Sequence, residues 1–308
     1  MDFLRILCSV LVLISHLRTF ANTGFSSEFL SVGAIGVDFF FILSGYSMAA
    51  MFEKHSLKPA WPGRFLLNRF IRVCLPYFLA LCAYLSVSEK SYISSEILRS
   101  FFFLNSYSSD YSVWGLPVLP PGWSLNYEVL FYAALFLAGF CRRNFVLPII
   151  LLAAVSTSIF VPHSYIWLEL LMGYYTWVYR EKLMKVNIPK AIRWPIILLS
   201  VIVIILARKG AGDFISLGRI LFWGLPAIFL FVLIFLNRGE GGFFDEISRK
   251  HNFSFSLYLT HWIVLTWYSE HHHITTSPLV LYSILTGATA LFYLCIERPA
   301  HYLSKRVI

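Results

Sequence analysis

The sequence predicts an all-α polytopic membrane protein: a bundle of about ten transmembrane helices with both termini in the cytoplasm. Three observations predict it. The 308 residues are 58% hydrophobic and 13% charged, with a mean hydropathy of +0.70, whereas soluble chains carry about a quarter charged residues. Apolar windows of about 16 to 22 residues recur from end to end. Lys and Arg concentrate between alternate windows, as cytoplasmic loops require. A soluble two-domain chain and a disordered chain are excluded. The net charge of +9 and the pI of about 9.3 are accounted for by these loops, so no nucleic acid partner is expected.

The windows read as spans at 3–20, 31–52, 74–88, 123–140, 145–160, 165–179, 194–207, 219–236, 253–269 and 278–296. The first has one Arg and an apolar run but ends in Thr19-Phe20-Ala21-Asn22, without a small-x-small cleavage site, and is read as a retained span. The second carries Gly33, Gly36, Ser44 and Gly45, which leave room for close helix approach. Residues 53–73 are basic and contain Pro59, Pro62 and Gly63, a turn-rich approach to the third span. Residues 89–122 form a long polar and aromatic outer loop ending in Pro120-Pro121-Gly122, a length more typical of binding elements than of spacers. No internal repeat is evident, which weakens an inverted-repeat transporter.

With the N-terminus inside, this layout puts 19 of the 25 Lys and Arg on the inner side and 6 outside, Arg219 among the outer ones. Five scattered cysteines (Cys8, Cys74, Cys82, Cys141, Cys295) form no C-x-x-C pair and read as small side chains buried in apolar helices.

Ionisable groups inside spans are costly, so each calls for a partner or a task. Arg5 and His16 are eleven residues apart on the first span, hence on one face and about 16 Å apart along the axis. An imidazole at that depth suits proton transfer; equally, it serves as a hydrogen-bonded link to a neighbouring helix. Asp38, the carboxylate of the second span, either orients a histidine or arginine or holds two helices together. Arg69 and Arg72 are three residues apart at the inner end of the third span, where two guanidinium forks match phosphate oxygens; the alternative is a pair of ordinary interfacial anchors.

Trp123-Ser124-Leu125-Asn126-Tyr127-Glu128 opens the fourth span from outside. Glu128, about one and a half turns in, is placed to bind a hydroxyl-rich ligand or a cation, while the aromatic residues around it fit an interfacial belt. His261 lies about two turns into the ninth span, and Glu297-Arg298-Pro299 closes the tenth; both also have structural readings, the latter as a cap. The run His271-His272-His273 is a poor metal site, because adjacent side chains rarely converge on one ion, and no metal is expected.

Taken in order, Arg5 with His16, Gly36-Val37-Asp38-Phe39-Phe40-Phe41-Ile42-Leu43-Ser44-Gly45, Arg69-Phe70-Ile71-Arg72, Trp123-Ser124-Leu125 with Glu128 and Phe131-Tyr132, Ser254-Phe255-Ser256-Leu257-Tyr258-Leu259 with His261, and Glu297-Arg298-Pro299 resemble the acyltransferase-3 family, which O-acetylates bacterial surface polysaccharides. The resemblance covers nearly the whole chain and is to single-module members, one transmembrane acyltransferase domain over 1–308. It departs in a thinner arginine-rich stretch before the third span and in Asn126-Tyr127.

The resemblance implies transfer of an acetyl group from acetyl-CoA to a sugar hydroxyl at the cell inner membrane. The acceptor is a surface polysaccharide or its lipid-linked precursor. His16 is then the base, supported by Arg5 and Asp38. Arg69 and Arg72 contact the phosphates of the coenzyme, and Trp123, Glu128 and His261 stand on the acceptor side. In this reading the arginines lie inside and Glu128 outside, with His16 between. Two other classes share the same buried polar groups. A polar-lipid or sugar flippase with a proton path predicts no thioester cleavage, and a structural assembly factor tolerates loss of Arg69 and Arg72.

Overall fold

The computed structural model describes residues 1–20, 31–56, 58, 60–105, 117–140, 165–207, 217–236, 243–271 and 277–308. Among these it is all-helical, without a strand. The expected span at 145–160, Cys141, His272 and His273 lie outside the described residues.

The helices follow the apolar windows. They are α1 (Asp2–Phe20), α2 (Ser31–His55, opening with a 3-10 turn), α3 (Trp61–Val87), α4 (Ser94–Phe101), α5 (Gly122–Ala138), α6 (Trp167–Val178) and α7 (Arg180–Lys185). Next come α8 (Lys190–Leu206), α9 (Leu217–Ile234), α10 (Phe243–Lys250) and α11 (Ser254–Glu270). The last, α12, runs through Pro278–Phe292, Tyr293–Glu297 and Arg298–Val307 without a break. Four of the described helices are long and apolar enough to cross a membrane: Ser31–His55, Trp61–Val87, Leu217–Ile234 and Leu279–Val307. Large apolar side chains such as Leu206, Leu279 and Leu291 stay exposed on these and neighbouring helices, as they do where lipid replaces water.

Three segments differ from the sequence reading. The basic approach at 53–73 is helical from Trp61 onward, because Pro62 falls in the first turn, where a missing N–H costs no hydrogen bond. The outer loop at 89–122 contains α4, whose start is capped by Glu96 Oε2 accepting from the Ile93 N–H at 3.0 Å. Glu297-Arg298-Pro299 does not end the last helix, which continues to Val307.

The reason Pro299 fails to stop it recurs twice. Wider π turns at Phe70–Cys74, Ile220–Gly224 and Tyr293–Glu297 each end two residues before a proline: Pro76, Pro226 and Pro299. In each, the residue just before the proline donates five back, Leu75 to Phe70, Leu225 to Ile220 and Arg298 to Tyr293. A proline has no N–H and its ring presses on the carbonyl four residues earlier; widening the turn relieves both problems and keeps the helix intact.

The chain divides into two compact units. The first comprises Met1–Arg18, Thr23–Lys54 and Pro162–Asn252; the second comprises Thr19–Asn22, His55–Val161 and Phe253–Ile308. In the first, α2 is the hub. A Cβ on Gly33 or Gly36 would lie 2.2 Å from the Leu11 carbonyl oxygen or 2.5 Å from that of Cys8, so glycine lets α1 lie against the α2 backbone. At its other end α2 meets α6 reciprocally: a Cβ on Gly45 would fall 1.9 Å from the Leu170 carbonyl oxygen, and one on Gly173 1.9 Å from that of Ile42. Leu4, Cys8, Phe39, Ile42, Trp223 and Phe231 fill the core between these helices. Cys8 and Cys74 are buried as expected, but Cys82 and Cys295 are exposed on their helices.

In the second unit α3 packs against α5, α11 and α12, and α11 against α12. Trp61, Phe65, Tyr77, Leu81, Leu135 and Leu259 form its interior. Glu297 caps the start of α11, accepting from the Ser256 N–H at 2.8 Å and from the Ser256 hydroxyl. A carboxylate there satisfies an end group of the helix and complements its dipole.

Candidate functional site

The sequence candidates divide between the units. Arg5, His16 and Asp38 lie in the first, and Arg69, Arg72, Trp123, Glu128 and His261 in the second.

His16 is half-buried on α1, and its ring is hydrogen-bonded to the Val12 carbonyl one turn back, as is the Ser15 hydroxyl at 2.7 Å. A carbonyl only accepts, so the ring nitrogen facing it carries the proton. In the neutral imidazole the other nitrogen then holds the lone pair that a base needs. Arg5 reaches α2, donating from Nη2 to Ser47 Oγ at 2.6 Å. It ties the start of α1 to the second half of α2.

Asp38 is engaged elsewhere. Arg219 on α9 binds it bidentately, Nε to Oδ1 at 3.0 Å and Nη2 to Oδ2 at 2.6 Å, and also donates to the Ala34 carbonyl at 3.2 Å. Its guanidinium lies 5.0 Å from the centre of the Trp223 ring. Glu169 on α6 adjoins Asp38 and packs on Gly224. Asp38 and Glu169 are 0% exposed and Arg219 1%, so three helices meet at one buried charged cluster. Neither Glu169 nor the partnership of Arg219 was anticipated. Arg219, read as an outer-loop cation, is a buried one. A carboxylate in the apolar stretch Ile166–Met172 was as anomalous as Asp38 and was the signal available.

In the second unit the first half of α3 carries Arg69, which is buried, and Arg72, which is half-buried. Arg69 is 5% exposed. Its Nε donates to Asn68 Oδ1 at 2.9 Å, with Nη2 on the same oxygen, and Asn68 Nδ2 donates to the Ser304 carbonyl of α12 at 2.7 Å. The guanidinium lies 5.8 Å from the centre of the Tyr132 ring. Tyr132, on α5, donates its hydroxyl to Glu128 Oε1 at 2.6 Å. Arg69 and Glu128, expected on opposite sides of the membrane, are therefore one tyrosine apart. Arg72 is half-buried and acts electrostatically on Glu297.

Trp123 is nearly buried at the start of α5, edge-on to Tyr127 with ring centres 6.3 Å apart. One residue on, the Ser124 hydroxyl is 2.7 Å from that of Tyr258, which donates to the Pro121 carbonyl at 2.9 Å. This knot fastens α11 to the opening of α5. His261, one turn below Tyr258, is fully buried, with Nδ1 donating to the Leu257 carbonyl at 3.1 Å. Among the candidates His16, Arg5, Arg72 and Glu128 are half-buried, whereas Asp38, Arg69, Trp123 and His261 are buried. No group of three or more metal-ligating side chains occurs among the described residues.

A family model described as an acyltransferase domain matches residues 1–298. The chain is similar to the exopolysaccharide production protein ExoZ of Rhizobium meliloti (strain 1021), 33% identical over 127 residues. That match covers 39% of this chain and 38% of the relative's own length. No solved structure matches. A helical chain with helices long and apolar enough to cross a membrane, matched by this model over residues 1–298, belongs to the acyltransferase-3 family.

Proposed function

We propose that this chain moves an acetyl group from acetyl-CoA to a hydroxyl of a cell-surface or lipid-linked sugar. It does so as a single domain over 1–308 that crosses the inner (plasma) membrane about ten times, with both termini cytoplasmic. The observation that carries the reading is the Arg69–Tyr132–Glu128 arrangement. It joins the arginine-bearing stretch of α3, which supports a donor with phosphates, to a carboxylate suited to sugar hydroxyls on one scaffold. The relative's name, an exopolysaccharide production protein, supports a carbohydrate acceptor.

His16 is the base. It takes the proton of the acceptor hydroxyl as that oxygen attacks the thioester carbonyl, the C–S bond breaks, and His16 returns the proton to the departing thiolate. Arg5 holds α1 against α2, and Asp38 with Arg219 holds α2 in place, so both support the base at one remove. The segment of α3 that carries Arg69 and Arg72 forms the coenzyme end, and Trp123, Glu128 and His261 the acceptor end. No metal is required for this transfer.

The test is incubation of purified protein with acetyl-CoA labelled in the acetyl group and surface glycan from the host. Label should pass to the glycan with release of free thiol, and His16→Ala should abolish it. A protein that moves a lipid or sugar without cleaving the thioester would refute the proposal.

A further inference from the structure

Resting on that reading, we propose that the two arginines of α3 divide the work: Arg72 meets the donor's phosphates, whereas Arg69 is a positioning residue that acts through Tyr132 on Glu128.

Burial separates the two. Arg69 is enclosed and two of its nitrogens are spent on Asn68, which is itself fastened to α12. A phosphate could reach that guanidinium only by dismantling the packing of α3 against α12. Arg72 lies three residues on, in the π turn at Phe70–Cys74, and is half-buried. It acts electrostatically on Glu297, and being only half-buried it presents a cation at the surface of the unit, where a polyanionic donor can meet it.

Arg69 faces the other way. It lies on the ring of Tyr132, within cation–π range. A cation there draws density from the phenol and strengthens its O–H as a donor. That hydroxyl is given to Glu128 Oε1 at 2.6 Å, a short charge-assisted bond. Tyr132 is 2% exposed and braced edge-on by Phe65, so the bond pins the carboxylate plane of Glu128, which is half-buried. A carboxylate so fixed is preorganised for hydroxyl donors of a sugar, which lowers the ordering cost of binding.

The experiment uses the purified full chain in nanodiscs, with coenzyme A as the probe in isothermal titration, and mass spectrometry of surface glycans from cells producing each variant. Arg72→Gln should weaken coenzyme A binding about tenfold or more, the loss of a charged hydrogen bond. Tyr132→Phe should leave that affinity within about twofold yet lower glycan acetylation about tenfold. The pair Tyr132→Phe and Glu128→Gln should show no more loss than Glu128→Gln alone, as coupled residues do. The division is overturned if Tyr132→Phe weakens coenzyme A binding as much as Arg72→Gln does, or if the effects of Tyr132→Phe and Glu128→Gln multiply. Wild-type protein that binds no coenzyme A would instead refute the donor assignment and Arg72 with it. The coupling of Tyr132 to Glu128 is then decided by the same double-mutant cycle in melting temperature, where additivity refutes it.

Discussion

Asp38 and Arg219 face each other through two hydrogen bonds, 181 residues apart in sequence and sealed from solvent. Glu169 lies against the same carboxylate, so the cluster holds two acids and one base. Its two ends are not equivalent. Arg219→Met leaves two carboxyls facing each other and should destabilise by about 3–5 kcal/mol, the cost of breaking a buried pair. Asp38→Asn leaves the guanidinium with Glu169 at hand and should cost about 1–3 kcal/mol. Thermal unfolding in detergent measures both, and equal losses would show that Glu169 does not substitute.

The crossing of α2 and α6 has no space for a methyl group. Gly45→Ala and Gly173→Ala each set a Cβ 1.9 Å from a carbonyl oxygen and should destabilise by at least about 1–3 kcal/mol. Gly287→Ala meets nothing within 4 Å and should be neutral or stabilising, as alanine is the better helix former by about 1 kcal/mol. Yield and melting temperature of the three variants check this.

Glu297 is a cap on a helix other than its own. Glu297→Gln removes its charge from the start of α11 and should cost about 1 kcal/mol. Hydrogen exchange should quicken at Ser256, whose amide the carboxylate holds, while α5 keeps its protection.

His261 gives a separable test of the acceptor side. His261→Asn keeps a donor near the Leu257 carbonyl but removes Nε2. If Nε2 serves the acceptor, glycan acetylation should fall about tenfold or more with the melting temperature nearly unchanged. A parallel fall in melting temperature would make the residue structural.

Much of this was legible in the sequence because the cost of charge in hydrocarbon marks each polar residue. Asp38 and Glu128 stand out in apolar windows, Arg69 stands out by its spacing from Arg72, and the glycines of 33–45 signal close helix approach. Partnership was not legible. Nothing local in the sequence near Asp38 points to Arg219, which sits at the edge of its window and so was read as a loop cation. Glu169 carries the same signal as Asp38, a carboxylate in an apolar stretch, but its partners are equally distant in sequence. Tyr132 was visible within its motif but carries its meaning only through α3, since the ring joins residues of two helices. Pro62 and Pro299 misled in the same way: both were taken as punctuation, whereas one starts a helix and the other is absorbed within one.

That absorption has a consequence for α3. A π turn takes up one residue more than ordinary winding would, so the helix beyond Phe70–Cys74 is rotated by about 100° from the bearing it would otherwise have. Pro76 thus acts as a swivel stop. A non-proline residue there would permit the screw to tighten, turning the whole Tyr77–Val87 stretch and the aromatic packing of Tyr77 away from Gly122. The azimuth of an entire helix is dictated by a single imino acid.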